Sequence, residues 1–332
     1  MKRLLVVITI AAALWSGYWV IATQGAKAGF ESWFEARRAD GWQADYAKLE
    51  IKGFPNRIDS TFEAPMLADP GSGLAWEAPF FQIFALTYKP NHIIAVWPKT
   101  QRFSTPQAKY DIASENMRAS LVMAPEAKLP LDRANLVAEA MAVTTGRETT
   151  TLDGLQLSVS RLEGAAQEYR LAINADGIMP PLPANITLRT SGKLPRQLDA
   201  FRADLSVKFN RPWDLRALEE RRPQPSRIKL KLAEAKWGAL ELALAGTLDI
   251  DENGRPSGRL TVKARNWRDI IVIVRQMGWV PENWLGHIEQ ALTLAAQLSG
   301  NIETLDLSLD FKDGTMAFGP IPLGPAPLIR LR

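Results

Sequence analysis

The sequence predicts an α+β fold that is mainly β: a long, curved antiparallel meander of hairpins, with a few amphipathic helices on one face and one membrane-type helix in front. Three observations carry this. Short apolar segments alternate at period two through most of the 332 residues. Gly, Pro, Asn and Asp punctuate them at turn spacing. A single uncharged apolar run, residues 4–22, follows Met1-Lys2-Arg3.

That run reads LLVVITIAAALWSGYWVIA. About 19 residues at 1.5 Å each reach roughly 28 Å, close to the thickness of a bilayer core. Leu4, Leu5, Val6, Val7, Ile8 and Leu14 give it an apolar surface, and Trp15, Tyr18 and Trp19 stand where an aromatic belt belongs. Lys2 and Arg3 favour a cytoplasmic N-terminus and export of the remainder. Ala26-Lys27-Ala28 also fits a small-residue cleavage site, although the run is long for a cleaved signal. An uncleaved signal-anchor and a cleaved signal peptide are therefore both open, and a buried core helix is the third reading.

Residues 24–39 predict a helix, with Phe30, Trp33, Phe34 and Arg37 at helical spacing and Glu31, Glu35 and Arg38 between them. It either rides on the membrane surface as a stalk or packs on its own domain. Asp40-Gly41 ends it. The resulting division is 1–23 for the anchor or signal, 24–40 for a juxtamembrane helix, and 41–332 for a β-rich domain with a weak internal boundary near 180–195.

Residues 42–63 read as a hairpin broken by Gly53-Phe54-Pro55, and residues 64–79 as a loop rich in Pro and Gly. Strands are expected at 80–88, 92–97, 108–113 and 118–123. Residues 135–143, NLVAEAMAV, are helix-prone in composition, yet a turn at 144–147 and a clear strand at 155–159 follow, so a strand is assigned. Further strands are expected at 169–175, 186–190 and 204–209, with a Pro-rich break at 179–183.

Residues 211–222 predict a short helix started by Pro212. In residues 227–232, Arg227, Lys229 and Lys231 face one way and Ile228, Leu230 and Leu232 the other, which is the pattern of a strand with one wet face. The clearest hairpin is 240–265: Leu240, Leu242, Leu244, Leu248 and Ile250 alternate, Asp251-Glu252-Asn253-Gly254 turns, and Leu260, Val262 and Ala264 return. Helices follow at 266–277, capped by Asn266 or Asp269, and at 282–298. A last hairpin turns at Lys312-Asp313-Gly314, and the Pro-rich residues 319–327 form an extended edge.

The chemistry of the sequence is sparse. A hydrophobic share of 46% against 23% charged residues indicates a folded core. With no cysteine there are no disulfides, thiolate nucleophiles or Cys-ligated metals. A net charge of +4 suits anionic headgroups and is too weak to argue for nucleic acid. Eleven tryptophans suit surfaces that are apolar on one side and wet on the other. Residues 249–254 resemble half of a calcium loop, but Leu260 stands where a bidentate Glu is needed and Pro256 interrupts it. His92 and His287 have no partner at ligand spacing, and no nucleophile elbow, P-loop or dinucleotide fingerprint is present. No catalytic, cofactor or metal residue is assigned. Arg227, Lys229 and Lys231 are the candidates for a lipid headgroup or a partner, and an ordinary solvated strand face is the competing reading.

Several blocks together carry a resemblance. They are Gly41-Trp42, Gly53-Phe54-Pro55, Asn210-Arg211-Pro212-Trp213-Asp214, Trp237-Gly238, Gly246-Thr247-Leu248, Gly254, Gly258, Asn266-Trp267, Asp313-Gly314 and the 319–327 tail. The chain resembles, over nearly its whole length, the uncharacterised bacterial domain-of-unknown-function 2125 family, which has no established activity and transfers no catalytic residue. More distantly, the glycine-spaced hairpin at 246–262 and the closing tail are similar to AsmA-like envelope proteins, which are associated with lipid homeostasis. The resemblance implies a bacterial inner-membrane anchor with the main domain in the periplasm.

Three functional classes follow as expectations. The first is a module binding lipid or another apolar ligand in a groove of the sheet. The second is an envelope scaffold with a filled core and a protein partner. The third, an enzyme, lacks any motif to support it.

Overall fold

The computed structural model describes residues 1–181, 195–219, 222–277, 282–298, 302–318 and 321–331. It is mainly antiparallel sheet with one long N-terminal apolar helix and few others. The chain divides into two compact units: residues 1–125 with 134–149, and residues 126–133 with 150–332.

The first unit opens with α1 (Lys2–Ala39), a single helix across both the apolar run and the amphipathic segment after it. Arg37 and Arg38 complement the negative end of its dipole, and Gly41, at φ +87°, lets the chain leave. Eleven strands follow: β1 (Gln43–Asp45), β2 (Lys48–Lys52), β3 (Arg57–Glu63), β4 (Met66–Asp69), β5 (Leu74–Glu77), β6 (Phe80–Leu86), β7 (Lys89–Val96), β8 (Thr100–Ser104), β9 (Lys109–Ala113), β10 (Asn116–Met123) and β11 (Leu131–Thr145).

Their pairing shows a meander of six long strands, the first five each broken once and the last, β11, continuous. Before the break line run the pairs β2–β3, β3–β6, β6–β7 and β7–β10. Beyond it run β1–β4, β4–β5, β5–β8, β8–β9 and β9–β11. Backbone bonds such as Ala64 N–H to Pro79 and Ala78 N–H to Pro65 carry the ladder across the breaks. Pro65, Pro79 and Pro98 lie on the line and lack an N–H for regular pairing.

This line corrects the reading of 64–79 as loop. Its prolines punctuate two strands, β4 and β5, rather than abolish them, and β8 was not anticipated at all. The strands expected at 80–88, 92–97, 108–113, 118–123 and 135–143 are present as β6, β7, β9, β10 and β11. The tendency of NLVAEAMAV towards helix yields to its cross-strand partners on β9. The core of this unit is Phe34 of α1 with Ala44 and Phe62, surrounded by Phe30, Tyr46, Leu49, Leu67, Phe81 and Ile83. The amphipathic half of α1 therefore packs on its own unit.

The second unit is a nearest-neighbour meander. Its first four strands are β12 (Glu148–Arg161), β13 (Glu168–Ile178), β14 (Leu198–Phe209) and, after α2 (Leu215–Glu219), β15 (Pro225–Trp237). β16 (Leu240–Ile250) and β17 (Pro256–Arg265) follow, then α3 (Trp267–Met277) and α4 (Glu282–Leu298), then β18 (Thr304–Lys312), β19 (Thr315–Phe318) and β20 (Ile321–Pro325). Each strand from β12 to β20 pairs antiparallel with the next.

Helices α3 and α4 cover one end of a sheet face. Trp267, Ile271 and Ala296 bury against Ala264 and Leu305, and Trp267 Nε1–H reaches the Ile302 carbonyl at 3.1 Å. The other end is closed by Tyr169, Val207 and Phe209 with Trp213.

The strand expected at 186–190 lies outside the described residues. Three other expectations change here. The short helix expected within 211–222, with its start marked by Pro212, begins only at Leu215, as α2, because Trp213 closes the sheet end: it packs edge-on to Phe209 and its carbonyl accepts from Leu131 N–H. Asn266 is not an ordinary N-cap, since its φ is +54° and its side-chain amide donates to the Ala239 carbonyl. Leu232 does not continue the apolar face of Ile228 and Leu230. A bulge separates Leu230 from Ala233 in the β16 register and leaves Leu232 40% exposed.

Candidate functional site

The sheet of the second unit presents one face of ion pairs and one of leucines. Register assembles the apolar face. Leu171, Leu205, Leu230, Gly246, Leu260, Leu309 and Phe318 are successive partners across seven strands, from β13 to β19. Ile173, Ala203, Ala233, Leu244, Val262 and Leu307 form the next row. Period-two alternation puts both rows on the same side.

The ends of the rows pack on the two buried clusters: Leu171 and Leu205 on the Tyr169 end, Leu307 on the Trp267 end. Between them, Leu230, Leu244, Leu260, Val262 and Leu309 belong to neither cluster and are half-buried. The result is an apolar stripe running across the strands between two closed ends.

Gly246 sits in the middle of the stripe at φ +151°, opposite Leu260. A Cβ there would lie 2.2 Å from the Arg259 carbonyl oxygen, so only glycine admits this close approach of β16 to β17.

The opposite face holds the sequence-predicted basic residues. Arg227, Lys229 and Lys231 are all exposed. Arg227 Nε donates to Asp249 at 2.5 Å, and Lys231 lies 3.3 Å from Asp204, which also takes Arg170. Lys229 makes no ion pair among the described residues, and with Arg227, Lys208, Glu168 and Asp249 it lines a hollow of about 430 Å³. Further pairs, Arg259 with Asp310 at 2.5 Å and Lys263 with Asp306 at 3.1 Å, extend the pattern across the face. The basic residues alternate with Ile228 and Leu230, so they and the leucine stripe cannot touch one small ligand together.

Titration follows these pairs. The Arg170 hydrogen bond holds the Asp204 carboxyl below the usual range, with Lys231 adding to it. Burial pushes the Tyr169 phenol up, and its oxygen accepts from Trp213 N–H at 3.2 Å.

The first unit contains a cleft of about 680 Å³ over the row Met66, Glu77, Arg102, Asp111 and Thr144. Arg102 bridges Asp111 at 2.6 Å and Glu77 at 3.3 Å. His92 bonds the Ser120 hydroxyl at 3.0 Å within the β7–β10 pair. His287 lies on α4, and its side chain is outside the described residues.

The anchor residues all lie on α1. Leu4, Leu5, Val6, Val7, Ile8 and Leu14 are exposed, as an unshielded apolar helix requires if lipid is to cover it. The helix is long and apolar enough to cross a membrane or to act as a signal. Trp15, Tyr18 and Trp19 have a further role the sequence did not disclose: each donates a hydrogen bond to a backbone carbonyl of the sheet, at Pro55, Thr87 and Arg57 respectively. The sequence marks Phe54 only as part of the Gly53-Phe54-Pro55 break and Tyr88 only as the end of a strand, and neither reading places them against α1.

No curated protein and no solved structure matches the chain. A family model described as "Uncharacterized protein conserved in bacteria (DUF2125)" matches residues 19–327, and the chain belongs to that family.

Proposed function

We propose that the protein is a non-enzymatic, membrane-anchored module that holds lipid acyl chains or a similar apolar ligand on the β13–β19 leucine stripe. On this reading α1 stays in the bacterial inner membrane with its N-terminus in the cytoplasm, and both units stand in the periplasm. The observation that carries it is the stripe itself. A sheet that buries Tyr169 at one end and Trp267 at the other leaves five aliphatic side chains half-buried between them. At roughly 25 cal/mol per Å² of apolar area removed from water, covering such a row is favourable enough to hold an alkyl chain.

The exposed apolar half of α1 supports the anchor, and Lys2 and Arg3 support its orientation. The perturbed ionisable groups support a non-enzymatic role, since among the described residues the shifted carboxylates sit in surface pairs or a turn: Asp204 with Arg170, Glu50 with Lys52, Asp69 with Ser72. The likeness to AsmA-like envelope proteins points the same way and rests on sequence blocks alone.

The test is solvent extraction of full-length protein purified gently from membranes, with lipids identified by mass spectrometry against an unrelated single-pass protein. Stoichiometric lipid, lost on charging the stripe, is the expected result. Lipid no different from the control, with a protein partner captured instead, would replace this reading by an envelope scaffold.

A further inference from the structure

We propose that the hairpin tips carrying Phe54-Pro55 and Tyr88 insert into the bilayer beside α1, so that helix and tips together form a lipid-embedded foot. This rests on the anchor reading above.

Three side chains of α1 fasten the tips to it. Trp15 Nε1–H donates to the Pro55 carbonyl at 3.0 Å, Trp19 Nε1–H to Arg57 at 2.8 Å, and the Tyr18 hydroxyl to Thr87 at 2.8 Å. Phe54 also meets the Trp19 ring edge-on, with centroids 5.4 Å apart. The two tips are joined to each other, because the Thr87 N–H and hydroxyl both donate to the Asn56 carbonyl at 3.0 Å. Thr87 is 2% exposed, so this joint is closed.

Length then sets the depth. From Leu4 to Leu14 the helix rises about 15 Å, half of a hydrocarbon core of about 30 Å. The full apolar run to Ala22 rises about 27 Å. A bilayer that accommodates the run therefore reaches past Trp15 and Trp19 and meets the tips bound at that level. Alternatively the lipid would have to thin by about 15 Å, which mismatch energies oppose.

The tips have the chemistry this placement needs. Phe54 and Tyr88 are each 59% exposed, although neighbouring aromatics of the unit such as Phe62 are buried. That level lies about 5–10 Å inside the Ala22 end of the run, where an aromatic ring sits on the acyl-chain side of the interface with its polar edge towards the headgroups. Lys89, exposed beside Tyr88, is placed to meet lipid phosphate.

The chain has no cysteine, so single labels can be introduced without background. We would make Phe54→Cys, Tyr88→Cys, Leu14→Cys in α1, and Ser72→Cys in the turn between β4 and β5. Each full-length variant would carry an environment-sensitive fluorophore and be reconstituted into vesicles of phosphatidylethanolamine and phosphatidylglycerol, with or without acyl-chain nitroxide lipid. Blue-shifted emission quenched by the nitroxide at positions 14, 54 and 88, but not at 72, is expected. Quenching at 14 with positions 54 and 88 behaving like 72 would overturn the proposal and leave the anchor standing. An unquenched label at 14 would overturn both. Phe54 and Tyr88 are exposed and lie on separate hairpins, so each variant is an independent check.

Discussion

Arg170 on β13 and Asp204 on β14 are diagonal neighbours joined by two parallel hydrogen bonds, Nε to Oδ1 at 2.9 Å and Nη2 to Oδ2 at 2.8 Å. Lys231, which with Leu232 stands opposite Asp204 at the β15 bulge, approaches the same carboxylate at 3.3 Å. One carboxylate thus ties three strands and neutralises part of the basic face.

The pH dependence of this tie has a definite sign. The Asp204 carboxyl is held below its unfolded value of about 3.9. Its contribution is present above that pH and fades as pH falls through the lower folded value. Asp204→Asn should therefore lower Tm at pH 7, and the gap to wild type should close as the pH is taken below about 4. Melting both proteins across that window checks it; a gap that widens on acidification would contradict the assignment.

Gly246→Val should destabilise the second unit by at least about 2 kcal/mol, because it forces a β-branched residue into positive φ against the Arg259 carbonyl. Gly154→Ala, where nothing lies within 4 Å of the added carbon, should stay within about 0.5 kcal/mol. Urea unfolding of the two variants gives the comparison.

On the stripe, Leu260→Lys should cut co-purified lipid at least about tenfold, since an ammonium there must be desolvated when an alkyl chain covers it. Lys229→Ala, on the opposite face, should leave lipid unchanged. Equal losses in both variants would argue against the stripe as the binding surface. Circular dichroism confirms that each remains folded.

Phe34→Ala should cost the first unit about 3–4 kcal/mol, as a large side chain leaves a cavity beside Phe62 and Tyr46. Trp33→Ala, one position away but 40% exposed, should cost under about 1 kcal/mol. The order of the two in a denaturant series distinguishes a helix docked on its unit from a stalk lying free.

Much of the β architecture was legible locally. The 240–265 hairpin announces itself because Asp251–Gly254 has turn chemistry and its flanks alternate. Residues 64–79 did not, because Pro and Gly mark breaks within strands as readily as loops, and only pairing with neighbours tells these apart. Leu232 was misassigned for a similar reason: a bulge is a two-strand event that period-two counting on one strand cannot register.

What the sequence determined by itself is the apolar helix, the antiparallel β class and the family, since each depends on composition, period or residue blocks along the chain. What only the tertiary structure decided is which residues become neighbours. Cross-strand register gathers Leu171, Leu205, Leu230, Leu260 and Leu309 from five separate strands into one stripe. Hydrogen bonds from Trp15, Tyr18 and Trp19 bring two distant turns against α1. Both relationships join positions tens of residues apart, and the physical reason they escape a linear reading is that burial and hydrogen bonding act through space, whereas periodicity reports only on the face of a single element.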